Sequence, residues 1–336
     1  MSDPITPPPP GTDDESPGYE AVRELSRTAR ARAQAEQLRA RADQKVKDYE
    51  ARRPSSRAVD AVFATLERDT TNGGGVLAAA MAFRIFIFLV PFVFVIVTAF
   101  PMAADASDAD PVQLAHDFGM AGLAATAIHS AADLPFWQRM ALLLAGIFAL
   151  VLASRSLVRV LRITHGLAWT TRVPKLQKPT RAALVLMVVI LAFVFFGALT
   201  DKLFGDFGVL GLLPHLVGFL VLVGLWVFVQ DHLPHADGAT WKDQIAGAVL
   251  VATGTEVLGL VTIVWFTRSI ESKSETYGAI GAALAMLLWA YFLGRILVSG
   301  AMLNAVLWEQ QQRQTEARRA ESAPARPEED EDPRRD

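Results

Sequence analysis

Four polar residues stand inside long apolar runs: Arg84, Glu256, Arg295 and Asn304. On insertion scales a charge at the centre of a membrane helix costs about 2.5–3.5 kcal/mol. Such residues therefore face a bundle interior, pair with each other, or reach back to the interface. Arginines at depth could hold an anionic headgroup, a carboxylate could take an ion or a proton, and an asparagine could supply hydrogen bonds. Two readings of Arg295 are open. Its long side chain can snorkel to the cytoplasmic interface, or it can pair with an intramembrane carboxylate, for which Glu256 is the candidate. At ~1.5 Å per residue, Arg84 and Arg295 lie ~10 Å into the apolar layer and Glu256 ~16 Å, near the midplane. The set Arg84, Glu256, Arg295 and Asn304 is thus expected to be either a substrate path or a buried charge network that locks helices together.

Other chemistry is poorly supplied. There is no cysteine, which excludes disulfides, thiol catalysis and cysteine metal sites. No phosphate-binding glycine loop, His-Glu-x-x-His or Gly-x-Ser-x-Gly pattern occurs. His116 and His129 are isolated on a polar loop. His232, His235 and Asp237 sit in a short turn leading into an apolar segment, which explains them without a metal. No catalytic residue, metal or cofactor is expected, and the chain is not read as an enzyme. The net charge of −3 gives no global field for nucleic acid.

The elements that must position these residues are membrane spans. The chain has 336 residues, of which 52% are hydrophobic and gathered in long blocks. An apolar stretch of ~20 residues crosses a bilayer. The spacing predicts spans over Val76–Phe100, Arg139–Leu161, Ala182–Ala198, Phe207–Val229, Ile245–Phe266 and Tyr277–Glu309. The last is bracketed by Tyr277 and Trp308, aromatics suited to the interface, and carries small residues that permit close helix contact in lipid. The loop from Pro101 to Gln138 is acidic, with no Lys or Arg before its end, and is expected to hold one or two short helices. Ahead of the spans, Val59, Val62, Phe63 and Leu66 fall at i, i+3, i+4 and i+7. They predict an interfacial helix over Ser56–Thr70, capped by Ser56 and ended by Gly73-Gly74-Gly75, with Asp60 and Arg68 turned toward water. Residues 1–18 read as a disordered tail rather than a signal peptide, 19–53 as a charged cytoplasmic helix, 54–309 as the transmembrane domain and 310–336 as a disordered cytoplasmic tail. The fold class is therefore all-α: a polytopic membrane protein with six transmembrane helices preceded by an amphipathic interfacial helix.

Basic residues collect before the first span, between Arg155 and Arg181, and after the last span. Both termini are accordingly expected in the cytoplasm.

Three runs carry a family resemblance: Tyr277-Gly278-Ala279-Ile280-Gly281-Ala282, Leu288-Trp289-Ala290-Tyr291, and Gly300-Ala301-Met302-Leu303-Asn304-Ala305. They resemble the C-terminal signature of the YihY/BrkB family of bacterial inner-membrane proteins, formerly labelled ribonuclease BN. Leu77 to Phe83 followed by Leu89-Val90-Pro91 resembles the family's first-helix motif, although Phe83 and Arg84 depart from it. Leu233-Pro234, Trp241 and Gly247-Ala248 resemble the loop before its fifth helix. The resemblance covers roughly Ser56–Glu309 and implies a place in the cell envelope. The old nuclease label finds no metal-ligand cluster or acid–base pair here to support it. Two functions are carried forward. One is a transporter or flippase-like protein for an amphiphile or envelope precursor, with membrane lipids as partners. The other is a non-transporting scaffold for envelope integrity.

Overall fold

The computed structural model describes residues 32, 34–48, 51, 56–107, 110, 123–204 and 212–322. The expected tails 1–18 and 323–336 and the expected His116 loop position lie outside the described residues. Among the described residues every regular element is helical. The chain forms two compact units, residues 1–63 and 64–336.

In the first unit residues 34–48 are helical and exposed throughout, as a run of Ala, Arg, Glu and Gln predicts. The unit also holds the start of helix α1 (Arg57–Thr71). The Ser56 hydroxyl accepts a hydrogen bond from the Val59 N–H at 3.5 Å, and the Ser56 carbonyl accepts from Asp60 N–H at 2.9 Å. Ser56 is therefore the N-cap that the spacing suggests. Val62 is more than half exposed, so the predicted stripe is not consumed by the helix's own packing.

The second unit is a helix bundle. Its helices are α2 (Gly74–Ser107), the short α3 (Leu123–Ala132), α4 (Phe136–Ala168), α5 (Pro179–Phe204), α6 (Leu212–Asp231) and α7 (Ile245–Ser322), the last preceded by a 3₁₀ turn at Trp241–Gln244. Two boundaries move outward from expectation. Helix α2 continues through Pro101 to Ser107, and α4 continues through Arg162 to Ala168. Loop-like composition did not stop either, because Ala-rich and Arg/Leu-rich flanks keep helical propensity beyond the apolar layer. The predicted polar tail from Gln310 is also corrected: helix persists through Ser322, on a Gln-, Glu-, Ala- and Arg-rich stretch.

Helix α7 folds back on itself. Helical geometry is assigned from Ile245 to Ser322, yet the Gly247 N–H donates to Asn304 Oδ1 at 2.6 Å. In one straight helix those residues would be about 85 Å apart. Gly254 likewise meets Ile296, and Gly300 meets both Gly247 and Val251. The pairing is antiparallel, so residues 245–262 form one arm and 281–322 a returning arm. The expected fifth and sixth segments are these two arms.

Four segments are long and apolar enough to cross a membrane: Gly74–Asp105, Phe136–Ala168, Trp241–Thr262 and Ala283–Ser322. Pro179–Leu191 and Leu216–Asp231 are shorter apolar stretches in α5 and α6. The chain therefore has the character of an integral membrane protein with at least four spanning-length helices.

The core is continuous between α2, α4 and the two arms of α7. Met81, Ile85, Phe88, Phe92, Leu150, Leu157, Leu161, Val251, Ala290 and Leu297 are buried together. A second cluster gathers Ala78, Trp169, Val298, Ala301, Met302 and Ala305. The second cluster defines what is called here the basal end, where α2 begins, α4 and α6 end, and the returning arm leaves the bundle. At the opposite end Arg139 pairs with Asp105 at 2.8 Å, tying the start of α4 to the end of α2.

Candidate functional site

Of the four nominated polar residues, Asn304 has the densest surroundings. It is fully buried. Its Oδ1 accepts from the Gly247 N–H. Its Nδ2 donates to Gln230 Oε1 at 2.5 Å, Gln244 Oε1 at 3.0 Å and the Gln244 carbonyl at 3.2 Å. Two N–H groups thus serve three acceptors. Gln230, the penultimate residue of α6, and Gln244, the last of the 3₁₀ turn, are themselves buried. The 3₁₀ turn is held by a capping box in which the Thr240 N–H donates to Asp243 Oδ2 at 2.8 Å. Gly247 has to be glycine: a Cβ there would overlap the Gly300 carbonyl and the Asn304 amide. One asparagine therefore joins α6, the 3₁₀ turn and both arms of α7. In an apolar setting such a cluster is stabilising only when its members are satisfied, since each orphaned group costs about 1–3 kcal/mol.

Arg295 does not meet Glu256. It donates from both terminal nitrogens to Asp69, at 2.9 and 3.0 Å. The pair is partly buried, with side chains 30% and 15% exposed. Asp69 sits on the last turn of α1, just ahead of the glycine turn. Gly73 takes φ +64° there, and a Cβ on Gly74 would overlap the Asp69 carboxylate. The triple glycine thus ends α1 as predicted, and it also admits the carboxylate that receives Arg295. The pairing is fork-to-fork, but its carboxylate is Asp69 of α1 rather than one within a span. Next to this pair, Arg68 donates to Glu309 at 2.8 Å and is only 12% exposed. The expectation that Arg68 faces water is corrected. Helical spacing gave its face, but Glu309, 241 residues away, occupies that face.

Glu256 is exposed, on a side of the outgoing arm that also shows Thr253, Val257, Leu260 and Val261. Arg84 is half-buried, with its guanidinium carbon 5.6 Å from the Phe83 ring centroid. Neither makes an ion pair with another described residue. The structure brings Arg295 and Asn304 into separate basal contacts and does not bring Arg84, Glu256 and Arg295 together.

The loop histidines are engaged by carbonyls. His232 Nδ1 lies 2.9 Å from the Phe228 carbonyl, and His235 lies 3.1 Å from Ala236 O and 3.2 Å from Asp231 O. No group of three or more metal-ligating side chains occurs among the described residues.

Two adjoining hollows complete the site. The inner one, about 260 Å³, lies among α2, α4, α5, α6 and α7. Its walls are apolar, Phe88, Leu157, Leu222 and Leu293 among them, with Thr255 the hydroxyl exception. The Thr255 hydroxyl is turned back to the Val251 carbonyl at 2.7 Å. The outer one, about 630 Å³, opens between α4, α5 and the end of α6, and its rim carries Arg162, Lys178, Arg181 and His232. Leu161, Leu186, Val189 and Val229 line both, so the outer groove and the inner hollow share a wall. None of Arg84, Glu256 and Arg295 lines either.

Sequence reasoning used Arg162, Lys178 and Arg181 only as topology markers. Asp69, Gln230 and Gln244 were missed. Their signal was present: a carboxylate one turn before a glycine run, and two glutamines where apolar runs meet a short loop.

A bundle of long apolar helices, knotted by buried amides and ion pairs at one end, defines an integral helical membrane protein. The family model described as virulence factor BrkB matches residues 65–326, and the chain belongs to that family, YihY/BrkB. The match begins later and ends later than the Ser56–Glu309 resemblance, taking in the helical extension to Ser322. No curated protein and no solved structure matches the chain.

Proposed function

We propose that the chain is a six-span protein of the bacterial inner membrane, with both termini in the cytoplasm, that carries or flips an amphiphile. It does so without catalysis, cofactor or nucleic acid. The observation that carries this reading is the apolar hollow that adjoins a basic-rimmed groove. A polar substrate is held by a few convergent polar groups, which the inner hollow lacks, whereas its walls suit an acyl chain. Arg159, Arg162, Arg172, Lys175, Lys178 and Arg181 lie toward the basal side, and Asp105, Asp133 and the Asp105-paired Arg139 toward the other, an excess of basic residues that supports a cytoplasmic basal end. The exposed side chains of Val62 and Leu66 suit α1 to the lipid interface.

The test is translocation of a fluorescent phospholipid in proteoliposomes. Wild type should speed loss of inner-leaflet protection against an impermeant quencher. A variant with the hollow blocked, Leu222→Trp, should lose most of that gain while keeping its melting point. Equal rates with and without protein would defeat the proposal. Orientation is checked separately by single cysteines at Ser107 and Thr171. An impermeant thiol reagent should label position 107 and spare position 171 in intact cells.

The scaffold reading draws on a different observation, the basal locks made by Asp69–Arg295 and Asn304. They are arranged to hold helices rather than to contact a substrate. Full restoration of envelope function in a deletion strain by the blocked-hollow variant would favour it.

A further inference from the structure

Three features at the groove agree on one occupant. The rim offers three permanent cations on neighbouring elements: Arg162 from α4, Lys178 at the residue before α5, and Arg181 in the first turn of α5. Arg162 is anchored by one terminal nitrogen to the Pro174 carbonyl at 2.8 Å, which holds the loop and leaves its other donors toward the groove. Lys178 and Arg181 are exposed. The rim also lies toward the end of the bundle that carries Trp308 and the exposed Trp241, the level aromatic side chains take at headgroups. Below the rim the groove walls turn apolar through Val158, Val185 and Val229. Deeper still, Trp226 lines the inner hollow, and its Nε1–H is buried without a partner. From His232 at the rim to Trp226 is six residues of α6 and its cap, about 9 Å. Cations at the headgroup level and an apolar chamber beyond them match phosphate and acyl chain in that order.

We infer that the groove between α4, α5 and α6 is a binding site for an anionic glycerophospholipid of the adjoining leaflet. Its phosphate lies at Arg162, Lys178 and Arg181, and an acyl chain fills the inner hollow beside the Trp226 ring. This rests on the amphiphile reading proposed above and adds to it a headgroup charge and an entry side.

The test uses the full chain in phosphatidylcholine nanodiscs containing a minor fraction of lipid with brominated acyl chains, which quench nearby tryptophan. Subtracting the Trp226→Phe signal isolates Trp226. Brominated phosphatidylglycerol should quench Trp226 more than brominated phosphatidylcholine at equal fraction. In Lys178→Gln/Arg181→Gln, which leaves the loop-anchoring Arg162 in place, the preference should fall about fivefold for each cation removed. Raised salt should narrow it. A matching melting point for the double variant shows that the fold is kept. A preference unchanged in that variant would overturn the assignment of the rim. Equal quenching by both lipids in wild type would overturn the charge selection while leaving the amphiphile reading intact. No quenching of Trp226 by either lipid would defeat both. Inorganic phosphate that leaves the quenching unchanged supports the lipid as occupant. Inorganic phosphate that abolishes it would make the rim a free-phosphate site and overturn the proposal.

Discussion

The basal end and the middle of the bundle are built on opposite rules. At the basal end several buried polar groups are matched: Asn304 with Gln230, Gln244 and Gly247, Asp69 with Arg295, Arg68 with Glu309. Gln244 Nε2, Trp169 Nε1, Thr164 Oγ1 and His165 Nδ1 are buried there without a partner among the described residues. Helices touch there through glycine and alanine. In the middle, the walls are large and apolar, yet they leave a hollow of about 260 Å³. Lipid supplies no hydrophobic drive between helices, so association relies on close packing and hydrogen bonds. The basal contacts supply both and free the middle from the duty of cohesion. A membrane bundle can thus keep internal space if its helices are fastened elsewhere.

That contrast can be broken most sharply at Asn304. Asn304→Leu orphans the Gly247 N–H and removes the donor shared by two glutamines. It should cost about 3 kcal/mol of stability, seen as a large fall in detergent melting temperature or as loss of monodisperse protein on gel filtration. A variant that melts like wild type would show that the amides are not the fastening. The next largest effect belongs to the Asp69–Arg295 pair. Asp69→Asn and Arg295→Gln should each lower stability by about 1–3 kcal/mol. The double variant should lose less than the sum, because the contact is shared. Strict additivity would show that the fork-to-fork geometry is not energetically coupled.

The middle should be more forgiving. Leu222→Phe adds volume beside the hollow and should cost less than the roughly 1–3 kcal/mol that overpacking exacts in a filled core. A larger loss in a melting curve would mean that the hollow is not available space. The smallest effect is expected at Glu256. It is exposed and outside both hollows, so Glu256→Gln should change stability by no more than about 0.5 kcal/mol. It should also add independently to Arg295→Gln. Coupling between those two would restore the pairing that the sequence suggested and the structure does not show.

The difference between Glu256 and Asp69 shows what the chain alone could disclose. Four spanning-length segments were legible because apolar length is a local property and the bilayer sets its scale. The N-cap at Ser56, the glycine stop after α1 and the family itself were legible for the same reason, being local patterns. Helix ends were less so, since Ala-, Gln- and Arg-rich flanks of α2, α4 and α7 can remain helical outside an apolar layer. Partners were not legible. A depth count placed Arg295 and Glu256 within reach of each other, but it carries no information on rotation about the helix axis. Residue 256 lies on the exposed side of its arm. The carboxylate that meets Arg295 belongs to a helix read as interfacial, separated by 226 positions. The groove was hidden for a related reason: its wall is assembled from α4, α5 and α6, and no single segment is unusual enough to mark it.

The asparagine knot also sets an order of assembly. Gln230, Gln244 and the Gly247 amide are all synthesised before residue 304. Until the returning arm docks, the earlier segments carry polar groups whose partner does not yet exist. A ribosome adding about 5–20 residues per second leaves that gap open for several seconds. During this interval the nascent protein presents unmatched amides to the insertion and quality-control machinery, and arrival of Asn304 ends the exposure. The same side chain that fastens the finished bundle therefore reports that the last arm has been delivered.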